Sequence, residues 1–518
     1  MNKINILWAD DEIEMLKPQI LFLEQKGYQV TPVSNGRDAI ERCREEEVDI
    51  VFLDESMPGM SGLETLAEIK TINAGLPVVM ITKNEAEDIM EEAIGSQITD
   101  YLIKPVNPNQ VLLTLKRIID NKRLVSAKTS SDYQKEFQKI FSTIQDNLDF
   151  RQWSDLYKKL IYWELELSKS DAGGMKDVLT MQKQEANVEF NKFVTKNYLR
   201  WLDSDDKSTP VMSHTLMEKK IFPYMSKTVP TFLIVIDNLR LDQWKVIQPI
   251  IAESFRMVED DTYYSILPTA TQYCRNALFA GLLPLEIEED FPKEWKNDEE
   301  EGGKNLHEEL FMKSLFKRSF KDEIRSSYVK VTNNRDGKAL EDEIHNYLSY
   351  DFVAIVYNFV DMLSHARTEM EVLKELAGDE AAYRSLALSW FEHSPLHNAL
   401  KKLAGKNVNI IFTTDHGSIR VNTPSKCVAD RATTTNIRYK NGKNLNFEPK
   451  DVFEIRNPHD AFLPKPHVSS TYIFAKEDKY FVYPNNYNHF VNFFRDTFQH
   501  GGISLEEIVI PFAVYSAK

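Results

Sequence analysis

The chain has 518 residues, 42% apolar and 27% charged, an ordinary globular mixture long enough for three or four domains. Asp and Glu number 79 against 63 Lys and Arg, and a net charge of −16 excludes a wrapper of duplex DNA, which needs a basic surface. Three scattered cysteines, Cys43, Cys274 and Cys427, exclude a disulfide framework or a thiolate zinc ribbon and fit a reducing compartment. The opening MNKINILWADDE turns acidic too early for a signal peptide, and no apolar run nears the ~20 residues that cross a bilayer. The expectation is a soluble cytoplasmic protein without membrane insertion.

Over residues 1–122, five short apolar runs alternate with helical patterns: INILWAD, YQVTPVS, VDIVFLD, LPVVMIT and ITDYLIK. Regular alternation of this kind predicts a (βα)5 domain with a parallel sheet covered on both faces. Polar side chains gather where these strands end: Asp10 and Asp11, Asp54, Thr82 and Lys104. The carboxyl ends of parallel strands form the ligand crevice of an open α/β sheet. Carboxylates crowded there repel one another and call for a hard divalent cation such as Mg²⁺. Asp54 then offers a carboxylate nucleophile, and Lys104 neutralises an incoming phosphoryl group.

No proline falls between Pro108 and Pro210, and the only glycines there are Gly173 and Gly174. Loss of both helix breakers predicts an all-α region, 123–206, with the glycine pair dividing long helices. Trp153, Leu156, Tyr157, Leu160, Trp163 and Leu167 recur at helical spacing and, with Trp201, read as bundle core. The region is open to reading as spacer, dimer-forming bundle or docking surface.

Residues 207–518 return to strand-and-helix alternation, with TFLIVID, DFVAIVYN, VNIIFTTDH, STYIFAK and EEIVIPFAVY as strands of a second α/β domain. Asp237 ends one apolar strand, and Asp415 and His416 end another. Asp361 and His365 stand at i, i+4, on one side of a helical turn, and His500 lies in QHGG. With the hydroxyl of Thr271 these make seven ligands, close to the eight positions that two tetrahedral Zn²⁺ ions require. Mixed carboxylate and imidazole donors suit Zn²⁺ or Mn²⁺ better than Mg²⁺ or Ca²⁺. Two ions about 4 Å apart would clamp the oxygens of an in-line phosphoryl transfer. Thr271 opens an apolar helical stretch whose N-terminus suits a phosphate oxygen, and Thr269 competes with it as nucleophile. Arg240 and Arg275 read as surface ion-pair partners, with holding a phosphate oxygen as the second reading. RYKNGKN (438–444) reads as a solvated loop, with steering of an anionic substrate as its second reading. EIEED and NDEEE read as a solvated insertion, and Cys274 as a helix-face residue.

Asp10, Asp11, Asp54, Thr82 and Lys104, set among LDESMPGMSG and KP, make residues 1 to about 120 similar to the receiver domain of two-component response regulators. That resemblance implies phosphorylation of Asp54 by a sensor histidine kinase, with Asp10 and Asp11 at Mg²⁺ and Asp54 itself a ligand, Thr82 on the phosphoryl group, Tyr101 as a switching aromatic and a changed dimer face. LPTAT, DMLSH, TTDHG and QHGG make 207–518 resemble the alkaline phosphatase superfamily, and within it the PglZ domain. This implies one metal on Asp237, Thr271, Asp415 and His416, a second on Asp361, His365 and His500, and Thr271 as nucleophile. No third, carboxylate-rich metal site is evident, which is nearer the phosphodiesterase branch. Thr271 followed by QYCR departs from the sulfatase pattern.

Receiver, helical region and PglZ domain in this order resemble the PorX-like family of response regulators, associated with type IX secretion and gliding. The resemblance implies a homodimer promoted by phosphorylation. It also implies phosphodiesterase activity toward oligonucleotides, cyclic ones included, and a secretion-system or sigma-factor partner. A second reading keeps the metal-loaded domain as structure and lets the protein signal by phosphorylation-dependent association with partner proteins.

Overall fold

The computed structural model describes residues 4–83, 98–169, 173–204, 206–369, 378–429 and 433–518, without the side chains of 119–127, 173, 365–367 and 369. The chain divides into two compact units, Met1–Asp132 and Tyr133–Lys518.

In the first unit β1 (Asn5–Ala9), β2 (Gln29–Val33), β3 (Ile50–Asp54), β4 (Val78–Thr82) and β5 (Asp100–Ile103) form a sheet of order 2-1-3-4-5. All neighbouring strands are parallel. Alternate side chains leave opposite faces of a strand, so each strand feeds two half-cores. Trp8, Phe52 and Ile81 pack on one face, and Leu7, Leu53 and Met80 on the other. The helix Gly62–Ile72 starts at a capping box, in which the Ser61 hydroxyl accepts from Glu64 N–H and the Glu64 carboxylate accepts from Ser61 N–H. Gly62 is obligatory there, because a Cβ would stand 2.3 Å from the Asp54 carbonyl oxygen.

The proline-free stretch is helical as its composition predicts. Asn121–Gln145, Phe150–Ser168, capped by Asp149, and Gly173–Asp203 are its long helices, and the glycine pair stands at the start of the last one. The sequence predicts a region of its own over 123–206. In the structure the helices from Tyr133 onward share one hydrophobic core with the C-terminal α/β region. Trp201 meets Tyr264 edge-on at 5.8 Å between ring centroids, and Tyr198 meets Phe453 at 6.3 Å.

The C-terminal region is built on a six-stranded sheet. Its strands are β6 (Thr231–Ile236), β7 (Phe255–Tyr264), β8 (Ser326–Val331), β9 (Phe352–Tyr357), β10 (Asn409–Thr413) and the last strand, Val509–Ala517. The order is β7, last strand, β10, β6, β9, β8. β10, β6, β9 and β8 run parallel, and the last strand runs antiparallel to both neighbours. β6, β9 and β10 are therefore adjacent and deliver their carboxyl ends to one place. The two strands of this sheet that sequence reading missed, β7 and β8, are its edge strands, and charged residues such as Glu259, Asp260 and Lys330 interrupt their apolar pattern.

Three expectations are corrected. STYIFAK contributes Thr471–Ala475 to a separate antiparallel sheet with Tyr439–Gly442 and Val452–Ile455. RYKNGKN is not a solvated loop: Tyr439–Gly442 is a buried strand, Arg438 is buried against Glu507, and Lys440 donates to the Thr434 carbonyl. NDEEE is only partly solvated, because Asp298 accepts hydrogen bonds from the hydroxyls of Tyr273 and Tyr439.

Sharing of one core predicts that helices and α/β region unfold together. Trp153 is buried edge-on against Phe190, and Trp153→Ala should cost about 3–5 kcal/mol. In urea, followed by circular dichroism and by tryptophan fluorescence, the variant should shift one joint transition of Tyr133–Lys518. Separate transitions for helices and sheet would contradict this.

Candidate metal centre and phospho-acceptor site

At the strand ends of the first unit the Lys104 ammonium lies 2.9 Å from Asp10 Oδ2 and 3.0 Å from Asp54 Oδ2. Asp10 and Asp54 are buried and Asp11 is exposed, and the three carboxylates have oxygens within 4.8 Å of one another. Burial, aided by the negative charge of Asp10, pushes the Asp54 carboxyl up to about 6 although Lys104 opposes the shift. The Thr82 hydroxyl donates to Glu55, a carboxylate that the sequence reading left without a role. Tyr101 is exposed on β5. All five residues singled out in the sequence thus meet at one crevice, which suits a divalent cation and an incoming phosphoryl group.

In the second unit Asp237 follows β6, Asp415 and His416 follow β10, and Asp361 sits on the helix Phe359–Glu369 after β9. Asp237, Asp415 and His416 are withdrawn from water and offer ligand atoms within 4.8 Å of one another. Thr271, first residue of the helix Thr271–Ala280, places Oγ1 3.3 Å from Asp237 Oδ1 and 3.0 Å from His416 Nε2. Beside this set His500 Nε2 lies 3.7 Å from Asp361 Oδ1. The rings of His416 and His500 stack at 4.3 Å, so the two sets adjoin. The side chain of His365 lies outside the described residues.

The imidazoles are oriented for coordination. His416 Nδ1–H donates to the Gly417 carbonyl and His500 Nδ1–H to the Thr269 carbonyl, at 3.1 Å each. Nε2 of each ring then faces the carboxylates, the arrangement that fixes a ligating histidine. Burial lowers the His416 pKa and keeps the ring neutral. Asp415 Oδ2 is buried with no hydrogen-bond partner among the described residues, and burial together with Asp237 pushes its carboxyl up to about 8. A buried carboxyl oxygen without a hydrogen-bond donor and two imidazole Nε2 atoms turned toward carboxylates fit a divalent cation.

Two side chains differ from their sequence reading. Arg275 is no surface residue: it is buried, 2.6 Å from Asp237 Oδ2, and its Nε donates to Glu308 at 2.5 Å. Against the cost of burial, the Arg275 guanidinium holds the Asp237 carboxyl below its ordinary value. Arg240 is likewise buried, forked onto Asp242 at 2.9 Å. Arg275 finds its partners 33 and 38 residues away, and Arg240 goes inside together with a neighbour two residues on, so neither burial can be read from local pattern.

Thr269 turns away from the ligands and braces the His500 loop, donating to the Gly502 carbonyl and accepting from Gly501 N–H. Asn238 was missed. At φ +62° it donates from its backbone to Asp415 and from Nδ2 to Asp361, bridging the two sets. A positive φ immediately after an apolar strand is a position Asn tolerates, and the Asp237–Asn238 pair was the available signal.

Three family models match the chain: the response regulator receiver domain over 6–116, the PorX response regulator linker domain over 123–202 and the BREX system PglZ alkaline phosphatase-like domain over 216–515. Fold and site therefore define a response regulator whose receiver is joined to an alkaline phosphatase-like output domain. The chain belongs to the PglZ alkaline phosphatase-like family and has the domain order of PorX-like response regulators.

Among curated proteins it is 38% identical over 122 residues to the transcriptional regulatory protein ZraR of Klebsiella oxytoca, covering 24% of this chain and 28% of that one. It is 30% identical over 118 residues to ResD of Bacillus subtilis (strain 168), covering 23% and 49%. The chain thus spans less than half the length of these relatives. A solved receiver domain protein from Methanospirillum hungatei JF-1 is 24% identical, covering 23% of this chain and 96% of that one with a TM-score of 0.23. The chemotaxis regulator CheY4 of Vibrio cholerae is 27% identical, covering 23% and 99% with a TM-score of 0.22.

The raised Asp54 pKa gives a signed expectation for the metal-free receiver. Below about pH 3.8 the carboxyl is protonated in folded and unfolded chains alike, and it costs the fold nothing. Above about pH 6 the fold holds a charge that burial disfavours. In EDTA, Asp54→Asn should stabilise the receiver transition by up to about 3 kcal/mol at about pH 8 and by nothing near pH 3.5. Saturating Mg²⁺ should reverse the sign at pH 8. Urea midpoints of the full chain measure this, and equal midpoints at pH 8 in EDTA would contradict it.

Proposed function

We propose that this protein is a response regulator phosphorylated on Asp54 by a sensor histidine kinase, with a two-metal phosphodiesterase as its output. In the receiver, Asp10, Asp11 and Asp54 would hold Mg²⁺. Lys104 would compensate the phosphoryl charge, and Thr82 would exchange Glu55 for a phosphoryl oxygen.

In the output domain Asp237, Thr271, Asp415 and His416 would hold one Zn²⁺ or Mn²⁺, and Asp361, His365 and His500 a second. The observation that carries this reading is the buried, donorless Asp415 oxygen beside Asp237 and His416, with Thr271 Oγ1 3.0 Å from His416 Nε2. When bound, two divalent ions supply the positive charge that neutralises a phosphate diester and lowers the cost of deprotonating a hydroxyl. Thr271 Oγ1 attacks phosphorus and gives up its proton, a P–Oγ1 bond forms, and the bond from phosphorus to one ester oxygen breaks, that oxygen leaving as an alkoxide that takes up the proton to become the alcohol. Water then cleaves the phosphothreonine bond and restores the hydroxyl. Backbone N–H groups at the start of the Thr271–Ala280 helix face the same place and favour a nonbridging oxygen. Arg275 holds Asp237 in its orientation.

The family resemblance extends the proposal to oligonucleotide substrates, cyclic ones included, and to control of type IX secretion and gliding through a secretion-system or sigma-factor partner. Association is expected to follow phosphorylation: beryllofluoride with Mg²⁺ should shift sedimentation toward a homodimer, and an unchanged profile would contradict the dimer.

Hydrolysis of bis(p-nitrophenyl) phosphate tests the output reaction. Thr271→Ala should lower kcat by at least about 10²-fold, and Thr271→Ser should recover part of it. Chelation should abolish turnover, and zinc or manganese should restore it. Undiminished turnover in Thr271→Ala would remove Thr271 from the mechanism. Loss of signalling in cells with Asp54→Ala but not with Thr271→Ala would assign the biological output to association.

A further inference from the structure

The Gly173–Asp203 helix contributes no ligand to the metal centre, yet its side chains reach the loops that carry the ligands. Near its end the buried Tyr198 hydroxyl accepts the Leu267 N–H at 2.7 Å, in the LPTAT segment that leads into Thr271. Halfway along, the buried Asn187 accepts from Leu505 N–H at 2.8 Å and donates to Glu506 at 3.0 Å.

Glu506 and Glu507 lie between the two histidine loops. The Glu507 carbonyl accepts from Gly417 N–H, next to His416, and its carboxylate accepts from Gly502 N–H, two residues past His500. The approach is so close that a Cβ on Gly417 would stand 2.0 Å from the Glu506 carbonyl oxygen. One turn before Asn187, Lys183 pairs with Glu164 at 2.7 Å. Glu164 pairs with Arg384, which bonds Asp242 at 3.0 Å, and Asp242 holds Arg240, three residues after Asp237.

We propose that the Gly173–Asp203 helix is a positioning element of the metal centre, in which Tyr198 sets the Thr271 loop, Asn187 the His416 and His500 loops, and Lys183 the Asp237 turn. A displacement of this helix would be felt at all four loops, whereas generic core packing would need no such concentration of buried polar contacts on ligand-bearing turns. The inference rests on the two-metal reading for its catalytic consequence and on the packing of this helix alone for the contacts.

The test uses the full chain. Tyr198→Phe removes one acceptor and keeps the ring. Asn187→Ala removes both of its contacts. Thr195→Val, in the same helix, deletes a buried hydroxyl that has no hydrogen-bond partner among the described residues, and it serves as the control. In metal-free protein, backbone hydrogen exchange of peptides spanning 265–275 should speed up at least tenfold in Tyr198→Phe, and that of peptides spanning 500–508 in Asn187→Ala. Thr195→Val should change neither.

With zinc restored, both variants should lower kcat for bis(p-nitrophenyl) phosphate about tenfold with KM within twofold. In cobalt-substituted protein they should alter the visible absorption band. Wild-type exchange in both variants, or faster exchange spread evenly over the chain, would overturn the proposal. So would wild-type kcat in both variants. If the wild-type chain neither binds metal nor hydrolyses the diester, the two-metal reading fails, and the exchange of metal-free protein still decides the positioning contacts.

Discussion

Asp237 and Asp415 are held side by side out of water. Two carboxylates in such a place repel each other and lose their hydration, a cost of several kcal/mol per ion unless compensating charge or protonation intervenes. The fold accepts this cost because β6 and β10 are adjacent, parallel and buried, so their carboxyl ends cannot part without breaking the sheet. Arg275 supplies one positive charge, on Asp237 Oδ2, and Asn238 and His416 supply backbone N–H donors to Asp415 Oδ1. Asp415 Oδ2 receives no hydrogen bond among the described residues, and the one Arg275 charge, shared with Asp237, lies 3.7 Å from it, so two carboxylates divide a single guanidinium. That imbalance is what a bound cation would relieve.

The same device recurs in the receiver on a smaller scale. Asp10 and Asp54 end adjacent parallel strands, and Lys104 from a third strand answers both. The difference is access. Asp11 is exposed at the mouth of the receiver crevice, so a cation and a phosphoryl donor can come and go. The C-terminal set is enclosed by the helix bearing Thr271 and by the His500 loop, a setting suited to resident metal.

Much of this was legible in the sequence because strand ends are local features. A short apolar run followed by Asp, Thr or Lys declares both the strand and the crevice residue, and Asp10, Asp54, Asp237 and Asp415 were found that way. The i, i+4 spacing placed Asp361 on a helix, where it lies. What stayed hidden depends on pairing over long separations. Arg275 finds Glu308, Arg438 finds Glu507, and Tyr198 finds Leu267, contacts spanning 33, 69 and 69 residues. RYKNGKN looked solvated because charge and glycine suggest loops, yet Glu507 draws Arg438 inside. The joining of the helical region to the α/β core was illegible for a like reason, since an apolar helix stripe does not name what covers it.

The central claim is that the C-terminal side chains form a cage for a pair of divalent cations. It is tested most directly by anomalous diffraction across metal absorption edges, on crystals of protein purified without chelator. The account predicts two anomalous peaks, one among Asp237, Thr271, Asp415 and His416 and the other beside Asp361 and His500. A map without either peak, from protein that still hydrolyses a phosphate diester, would contradict it.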